Sequence, residues 1–259
     1  GIYLSFCKFT TTSNAKWIGL GNYLKAFQDA SFMHAFQYTA MVAIVSLIVI
    51  NLLAFAVAYA LTRGIKGSNT FRTVFFMPNL IGGIVLGYIW SMIFDGILKQ
   101  YGTSIVLSTT YGYWGLIILM AWQQIGYMMI IYIAGLQSVP GDLIEAAKID
   151  GANGWHTLWH ITIPTIMPSI TICTFLTLTN SFKLFDQNLV LHGGQPFNFL
   201  ADGTVIRSTE MLALNIYNTF YLNANSRGVG QAKAVMFFVL VATIALIQFS
   251  ATRSKEVQQ

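Results

Sequence analysis

The sequence predicts an all-α, polytopic membrane protein. Charged residues make up only 9% of the chain, against about 25% in a typical soluble domain, and the mean hydropathy is +0.62. Five stretches of 21 to 25 mostly apolar residues occur, and about 20 helical residues are enough to cross a bilayer. These observations exclude an ordinary soluble fold, whose surface this composition could not keep wet.

The predicted spans carry two charged residues, Lys183 and Lys233. Both lie near a span end, where we expect the long side chain to reach the lipid headgroups. The spans contain no Asp or Glu. Their bounds are 38–62, 73–94, 114–136, 165–185 and 232–252.

The remaining segments are assigned by composition. Residues 1–8 are apolar but too short to span, and we expect them to be the end of a first membrane helix that begins before this chain. Residues 9–37 are polar and aromatic and are placed outside. In the second predicted span, Gly83 and Gly87 form a small-residue motif that lets two helices pack closely, without indicating which partner helix.

A polar segment, residues 138–164, separates the third and fourth complete spans. Pro140 suits a helix start, and Asp142 with Glu145 has the spacing of a capping box, so a helix is predicted from about Gly141 until Asn153-Gly154 ends it. A second short helix is predicted over 155–161, and Pro164 then opens the next apolar run. The segment should be a helix-turn-helix at the membrane surface.

This segment resembles the EAA loop of the membrane subunits of ATP-binding-cassette (ABC) importers. The matching strings are EAA at 145–147, DGA at 150–152 and ITIP at 161–164, with Ile163 where Leu is more usual. The flanking AGLQSVPGDL and the later LVLHGGQP resemble the carbohydrate-uptake branch, the maltose-type permeases. The resemblance extends over nearly the whole chain.

The resemblance implies a type I ABC importer transmembrane domain of the six-helix type, in the bacterial cytoplasmic membrane, with most of its first helix missing here. It implies ATPase subunits that bind ATP and Mg, a sister permease, and an extracytoplasmic sugar-binding protein that faces the loop containing His192 to Pro196. This chain would hold no cofactor itself. The residues implied to couple it to the ATPase are Asp142, Glu145, Ala146, Ala147, Asp150, Gly151 and Ala152. Apart from the resemblance, the same segment fits an amphipathic connector lying on the membrane.

Charge distribution gives the orientation. With residues 138–164 cytoplasmic, the inner segments are about twice as dense in Lys and Arg as the outer ones, which agrees weakly with the positive-inside rule. The inner basic residues are Arg63, Lys66, Arg72, Lys148, Arg253 and Lys255.

Several kinds of chemistry have no sequence support. No phosphate-binding GxxxxGK[ST] loop occurs, so ATP hydrolysis would require a partner, and no basic stretch interleaved with aromatic residues suggests nucleic-acid binding. His156 and His160 are one helical turn apart but lack a third ligand nearby, which favours a structural role over metal binding. The spans offer no buried acid for proton or sodium coupling.

Neutral polar side chains in two spans are candidates for binding a sugar, whose hydroxyl groups need hydrogen-bonding partners. Packing between helices is the alternative role for the same groups. The maltose-type resemblance also matches Leu184 to a contact position, where an apolar residue is unexpected. Trp90 with Asp95, and Lys183 with Asp186, fit either an entry vestibule or interfacial anchoring. The candidate substrate-binding residues are Gln123, Gln124, Tyr127, Thr177, Asn180 and Ser181.

The sequence therefore predicts the permease of an ATP-driven sugar importer, with no enzymatic site of its own. A permease for another neutral polar solute is the main alternative. A secondary carrier or channel is a further one, and an intramembrane enzyme has no supporting nucleophile or base. Charged cargo would call for acids or arginines in the spans, which are missing.

Overall fold

A computed structural model describes residues 1–201 and 203–253. The described chain is mainly helical, as predicted, with two short antiparallel hairpins in which β1 (Cys7–Lys8) pairs with β2 (Lys16–Trp17) and β3 (Phe197–Phe199) pairs with β4 (Val205–Arg207). The helices are α1 (Ile2–Ser5), α2 (Gly21–Gln28), α3 (Ala30–Leu61), α4 (Ser68–Phe76), α5 (Gly83–Leu98), α6 (Thr109–Gln137), α7 (Gly141–Ile149), α8 (Gly154–Thr157), α9 (Ile163–Thr165), α10 (Met167–Phe182), α11 (Asp186–Leu191), α12 (Leu212–Tyr221) and α13 (Arg227–Arg253).

Three described helices are long and apolar enough to cross a membrane: α3, α6 and the helical stretch Ala224–Gln248, most of which is α13. The first begins at Ala30 rather than at Tyr38, because the residues between them carry no helix breaker. Two further pairs of shorter helices qualify if each interrupted pair counts as one span, which gives five. Lys255, assigned to the inner side, lies outside the described residues.

The predicted span over 73–94 is interrupted. Helix α4 continues as a 3-10 helix over Met77–Leu80 that contains Pro78. Ile81 and Gly82 then adopt extended backbone angles, with ψ of 129° and 141°, before α5 starts at Gly83. Proline removes a helical hydrogen bond and glycine lowers helix propensity, so the chain leaves the helix at this point.

The predicted span over 165–185 starts and ends differently. The helical stretch Gly154–Thr165 and α10 meet at an angle of 71°, with the bend at Ile166. Helix α10 ends at Phe182, so Lys183 follows the helix and is exposed. The opening residues form only the single turn of α1 before β1.

The chain divides into two compact units. The first contains residues 1–44, 82–119 and 179–244. In it, Gly83 and Gly87 pack against α11: a Cβ added at Gly83 would lie 2.9 Å from the Cβ of Asp186, and one at Gly87 would lie 3.2 Å from the Cβ of Val190. The small-residue motif therefore serves contacts within this chain, a point that the sequence leaves open.

The second unit contains residues 45–81, 120–178 and the chain from 245 onward. In this unit, helix α6 packs very closely against neighbouring segments at two of its glycines. A Cβ at Gly126 would lie 1.8 Å from the carbonyl oxygen of Phe75, and one at Gly135 would lie 2.3 Å from Oγ of Ser169. On α3, Ala54 and Ala58 are fully buried, whereas Ala56 and Ala60 are exposed.

Lys233 contradicts the expectation that it reaches the headgroups. Its side chain is fully buried, and Nζ lies 2.6 Å from Oδ2 of Asp29. Nζ also donates hydrogen bonds to Oδ1 of Asn215 at 2.9 Å and to Oγ1 of Thr219 at 2.8 Å. The local carboxylate and two neutral oxygens replace water around the ammonium group, which makes burial tolerable.

Candidate functional site

The polar segment over 138–164 begins with α7, which starts at Gly141 as predicted. The predicted capping box is wrong, since α7 has no side-chain cap. A capping box needs its first residue at the N-cap position, and Pro140 occupies that position. Asp142 instead lies in the first turn, where its charge complements the positive end of the helix dipole.

Helix α7 ends at Ile149, before the predicted stop at Asn153-Gly154. Gly151 adopts a φ of +80°, in the left-handed region. The N–H of Gly151 donates to the carbonyl of Lys148 at 3.1 Å, and that of Ala152 donates to Ala147 at 2.9 Å. A left-handed glycine after the last turn is a common helix termination, and here the DGA string performs it.

Asn153 starts the second helix instead of ending the first. Its Oδ1 accepts a hydrogen bond from the backbone N–H of His156 at 2.8 Å, so it is the N-cap of α8. The helix continues as a π-helix over Leu158–Thr162 into α9. The predicted helix-turn-helix is thus present, with a longer second helix.

A cleft of about 620 Å³ lies between the two halves of this segment. Small residues of the first half form one side, and the other side comes from the second helix. Among the described residues neither Glu145 nor Asp142 makes a side-chain hydrogen bond or ion pair, and both are exposed. The lining includes Ala146, Ala147, Asp150, Gly151, Ala152 and His160.

His156 and His160 stack on each other in this cleft, with ring centroids 4.0 Å apart. Nδ1 of His160 lies 3.0 Å from the carbonyl oxygen of His156, as expected for residues one turn apart. Within residues 1–201 and 203–253, no three His, Cys, Asp or Glu side chains form a group that could hold a metal ion.

On α6, the structure gives the predicted substrate residues distinct surroundings. Nε2 of Gln123 donates to the carbonyl of Ile81 at 3.4 Å, at the interruption before α5. Gln124 is buried, and its Oε1 has no hydrogen-bond partner among the described residues. Tyr127 is half-buried, with its ring 6.5 Å from that of Phe76.

Thr177 on α10 belongs to a buried polar chain that the sequence analysis missed. Its hydroxyl donates to the carbonyl of Cys173 at 2.8 Å and accepts from Nδ2 of Asn51 at 3.2 Å. Oδ1 of Asn51 in turn accepts from the hydroxyl of Tyr132 at 2.8 Å. A lone Asn inside an otherwise apolar span was the available signal, because such a group needs a partner.

Asn180 and Ser181 fall in the first unit, whereas Gln123, Gln124, Tyr127 and Thr177 fall in the second. Asn180 is half-buried and Ser181 is fully buried. Leu184, matched by the resemblance to a contact position, is also buried.

Comparison with known proteins decides the family. Residues 63–256 match the profile of the family described as binding-protein-dependent transport system inner membrane component. The chain belongs to this family. A binding-protein-dependent permease is a multi-pass membrane component, in agreement with the apolar helices described above.

This permease aligns with curated relatives over most of its own length and most of theirs. It is 42% identical, over 100% of this chain and 88% of the relative, to the "Probable starch degradation products transport system permease protein AmyD" of Thermoanaerobacterium thermosulfurigenes. It is 30% identical to the multiple sugar-binding transport system permease protein MsmF of Streptococcus mutans, over 99% of this chain and 89% of the relative. The sn-glycerol-3-phosphate transport system permease protein UgpA of Agrobacterium fabrum is 28% identical to it, over 91% of this chain and 80% of the relative.

Solved structures give the same fold. A bacterial ABC transporter involved in the import of the acidic polysaccharide alginate aligns with a TM-score of 0.79 at 19% identity, over 98% of this permease and 88% of that chain. The MetNI methionine ABC transporter aligns with a TM-score of 0.61 at 21% identity, over 87% and 96%. The permease therefore has the type I importer transmembrane fold.

The loops after α10 hold a buried histidine of the permease, His192. Its Nδ1 lies 2.9 Å from the hydroxyl of Thr209, and that hydroxyl donates to the carbonyl of Gln195 at 2.6 Å. Burial lowers the pKa of His192 from 6.5 to about 4, partly offset by the nearby backbone of Gly112. The loop that contains His192 to Pro196 is thus fixed around a neutral imidazole.

Proposed function

We propose that this chain is the permease subunit of an ATP-driven importer of neutral sugars, most of them oligosaccharides. It forms half of the translocation path with a sister permease. A separate ATPase, which binds ATP and Mg, moves it through the segment over 138–164. An external binding protein delivers the sugar.

The observation that carries the coupling role is the exposed cleft between α7 and the second helix. Its small side chains at Ala146, Ala147 and Ala152 leave room for a partner's surface to enter. Glu145, Asp142 and Asp150 are exposed beside it and are available to a partner. The left-handed Gly151 fixes the angle at which α7 ends, so the two halves can move as one body.

The sugar assignment is supported by the names of relatives and by the polar residues of the spans. AmyD and MsmF are named for starch degradation products and for multiple sugars. Gln123, Gln124, Tyr127, Asn180 and Ser181 are neutral hydrogen-bonding groups of the kind that sugar hydroxyls need. Thr177 already bonds to Cys173 and Asn51, so its contacts support a packing role.

Phosphorylated cargo is the second candidate, because UgpA is named for sn-glycerol-3-phosphate. A phosphate group is usually bound by Arg or Lys. In the described part of the predicted spans, Lys233 is already paired with Asp29, and Lys183 follows the end of α10. These positions favour neutral cargo.

The coupling role is tested by ATP-driven uptake in proteoliposomes that contain the complete transporter and its binding protein. Gly151→Asp and Glu145→Ala should lower uptake of maltoheptaose about tenfold or more, and should uncouple ATP hydrolysis from sugar. Gly102→Asp is the matched control, because Gly102 also has a left-handed φ, of +68°, and open space around its Cβ. Since both glycines pay a similar backbone cost, the control should keep most uptake.

Normal coupled uptake by both segment variants would contradict the proposed coupling role. Wild-type uptake of glycerol phosphate with no uptake of maltoheptaose, maltose or other neutral sugars would contradict the proposed cargo.

A further inference from the structure

An aromatic cleft is formed in part by Phe185, which follows the C-terminal end of α10. It measures about 430 Å³, and all of its lining residues belong to the first unit. We name it the aromatic cleft. It is lined by Phe185, Tyr217, Phe220, Tyr221, Gly230 and Gln231, among others.

Neighbouring rings of the aromatic cleft lie close together at inclined angles. The centroids of Phe185 and Tyr217 are 5.1 Å apart, those of Tyr217 and Tyr221 are 4.7 Å apart, and those of Phe220 and Tyr221 are 5.0 Å apart. The interplanar angles are 55°, 37° and 68°, so the rings do not close into a parallel stack. Ring faces and edges are therefore left to line the cleft.

The aromatic cleft combines a close contact between two helices with accessible polar groups. Gly230 lets α13 approach α12, since a Cβ there would lie 3.0 Å from the Cβ of Phe220. Tyr217 is 39% exposed and Tyr221 62% exposed. Among the residues that the structure describes, neither phenol hydroxyl has a hydrogen-bond partner, so both are free to bond to a ligand.

Two of the predicted substrate-binding residues, Asn180 and Ser181, lie close in the chain to the aromatic cleft. Asn180 and Ser181 occupy the last turn of α10, and Phe185 follows shortly after that helix ends. All three residues lie in the first unit. Phe185 therefore joins the aromatic cleft to the part of the chain that directly follows these two polar residues.

The chemistry of the aromatic cleft fits a sugar chain. Sugar rings present an apolar face that packs on aromatic rings, and hydroxyl groups that need donors and acceptors. The described lining contains no charged side chain. The nearby guanidinium of Arg227 lies 5.8 Å from the centroid of the Phe220 ring and donates to the carbonyl of Thr10, so the lining itself offers no cation to a phosphate or carboxylate ligand. We propose that the aromatic cleft is an outer subsite that holds the trailing sugar units of an oligosaccharide during its entry. This inference rests on the proposed function.

The subsite predicts an effect that depends on chain length. In the complete reconstituted transporter, Tyr217→Ala and Tyr221→Ala should lower uptake of maltoheptaose about threefold to tenfold, the value of one lost aromatic contact. Uptake of maltose should change less than twofold, because a disaccharide leaves no trailing unit for the cleft. Tyr217→Phe keeps the ring and should retain most of the maltoheptaose uptake.

Tyr101→Ala is the matched control, because Tyr101 is 77% exposed and does not line the aromatic cleft. It should transport both sugars at the wild-type rate. A second measurement uses the transporter labelled with 3-fluorotyrosine. Maltoheptaose should shift the fluorine resonances of Tyr217 and Tyr221 and leave that of Tyr101 unchanged.

The outcomes separate this subsite from the proposed function. If the wild type transports neither maltose nor maltoheptaose, the starch-type cargo is contradicted and the subsite with it. If the wild type transports both sugars and the tyrosine variants keep the wild-type ratio of maltoheptaose uptake to maltose uptake, only the subsite is overturned. The rings then belong to the aromatic belt of the membrane interface. Equal loss of both sugars with loss of the sister subunit on size exclusion also overturns it, in favour of a subunit interface.

Discussion

Lys233 is a charged side chain that helps to hold the first unit together. Its ammonium group donates hydrogen bonds to Asp29, Asn215 and Thr219. Asp29 lies between α2 and α3, and the other two residues lie in α12. Asn215 in turn donates to Oε2 of Glu210 at 2.7 Å. The buried ammonium group thereby links α13 to α12 and to the junction between α2 and α3, and its cost of burial is offset only while these acceptors remain.

We expect Lys233→Met to destabilise the permease by about 2–4 kcal/mol, because it leaves the partly exposed Asp29 carboxylate without its cation. Thermal unfolding in detergent, followed by size exclusion, measures the change. Lys183→Met, at an exposed lysine, is the matched control and should be nearly neutral. The double variant Asp29→Asn with Lys233→Met should recover part of the loss, and no recovery would show that the ion pair is not the cause.

His192 predicts a pH dependence. Its pKa is lowered from 6.5 to about 4 in the folded protein, so the unfolded chain binds the proton first as pH falls. The folded state therefore loses stability between pH 6.5 and about 4, by up to about 3 kcal/mol, and the effect is absent above pH 7. His192→Gln removes the titrating group and should flatten this part of the pH profile. Parallel profiles for both proteins would contradict the assignment.

At the scale of elements, Gly126 determines how closely α4 approaches α6. The carbonyl of Phe75 lies where a side chain at Gly126 would begin. Nearby, Gln123 donates to the carbonyl of Ile81, which the interruption of the helix leaves without an ordinary helical partner. One turn of α6 therefore supports both α4 and the end of its 3-10 extension.

We expect Gly126→Ala to destabilise the permease by at least about 1–3 kcal/mol, since the added methyl group meets backbone atoms that cannot rotate away. Gly96→Ala is the matched control: Gly96 lies within α5 and has nothing within 4 Å of an added Cβ. That control should be neutral or slightly stabilising, because alanine favours a helix. The melting temperatures of the two variants in detergent give the comparison, and equal values would contradict the close approach.

Sequence patterns predicted the existence of elements better than their ends. The start of α7 at Gly141 follows from Pro140, which is a local signal. Pro78 indicates a kink in this span, but the complete break at Ile81 and Gly82 was missed because hydropathy stays high through it. Hydropathy reports the environment of side chains and carries no information on the backbone hydrogen bonds that Gln123 supplies from another helix.

At the scale of the whole molecule, family and membrane character were evident from composition and the EAA, DGA and ITIP strings. The surroundings of the candidate site were not. Thr177 and Asn51 are distant in sequence and form a hydrogen bond only after the helices pack. The aromatic cleft likewise joins Phe185 to α12 and α13 across a long loop, so no local periodicity marks it.

The pairing of Lys233 with Asp29 also bears on membrane energetics. An isolated cation within the electric field of a polarised membrane gains or loses about 2.3 kcal/mol for each 100 mV that it crosses. Because Asp29 cancels the charge of Lys233 at a distance of 2.6 Å, the pair presents almost no net charge to that field. A displacement of Lys233 and Asp29 together is therefore coupled only weakly to the membrane voltage.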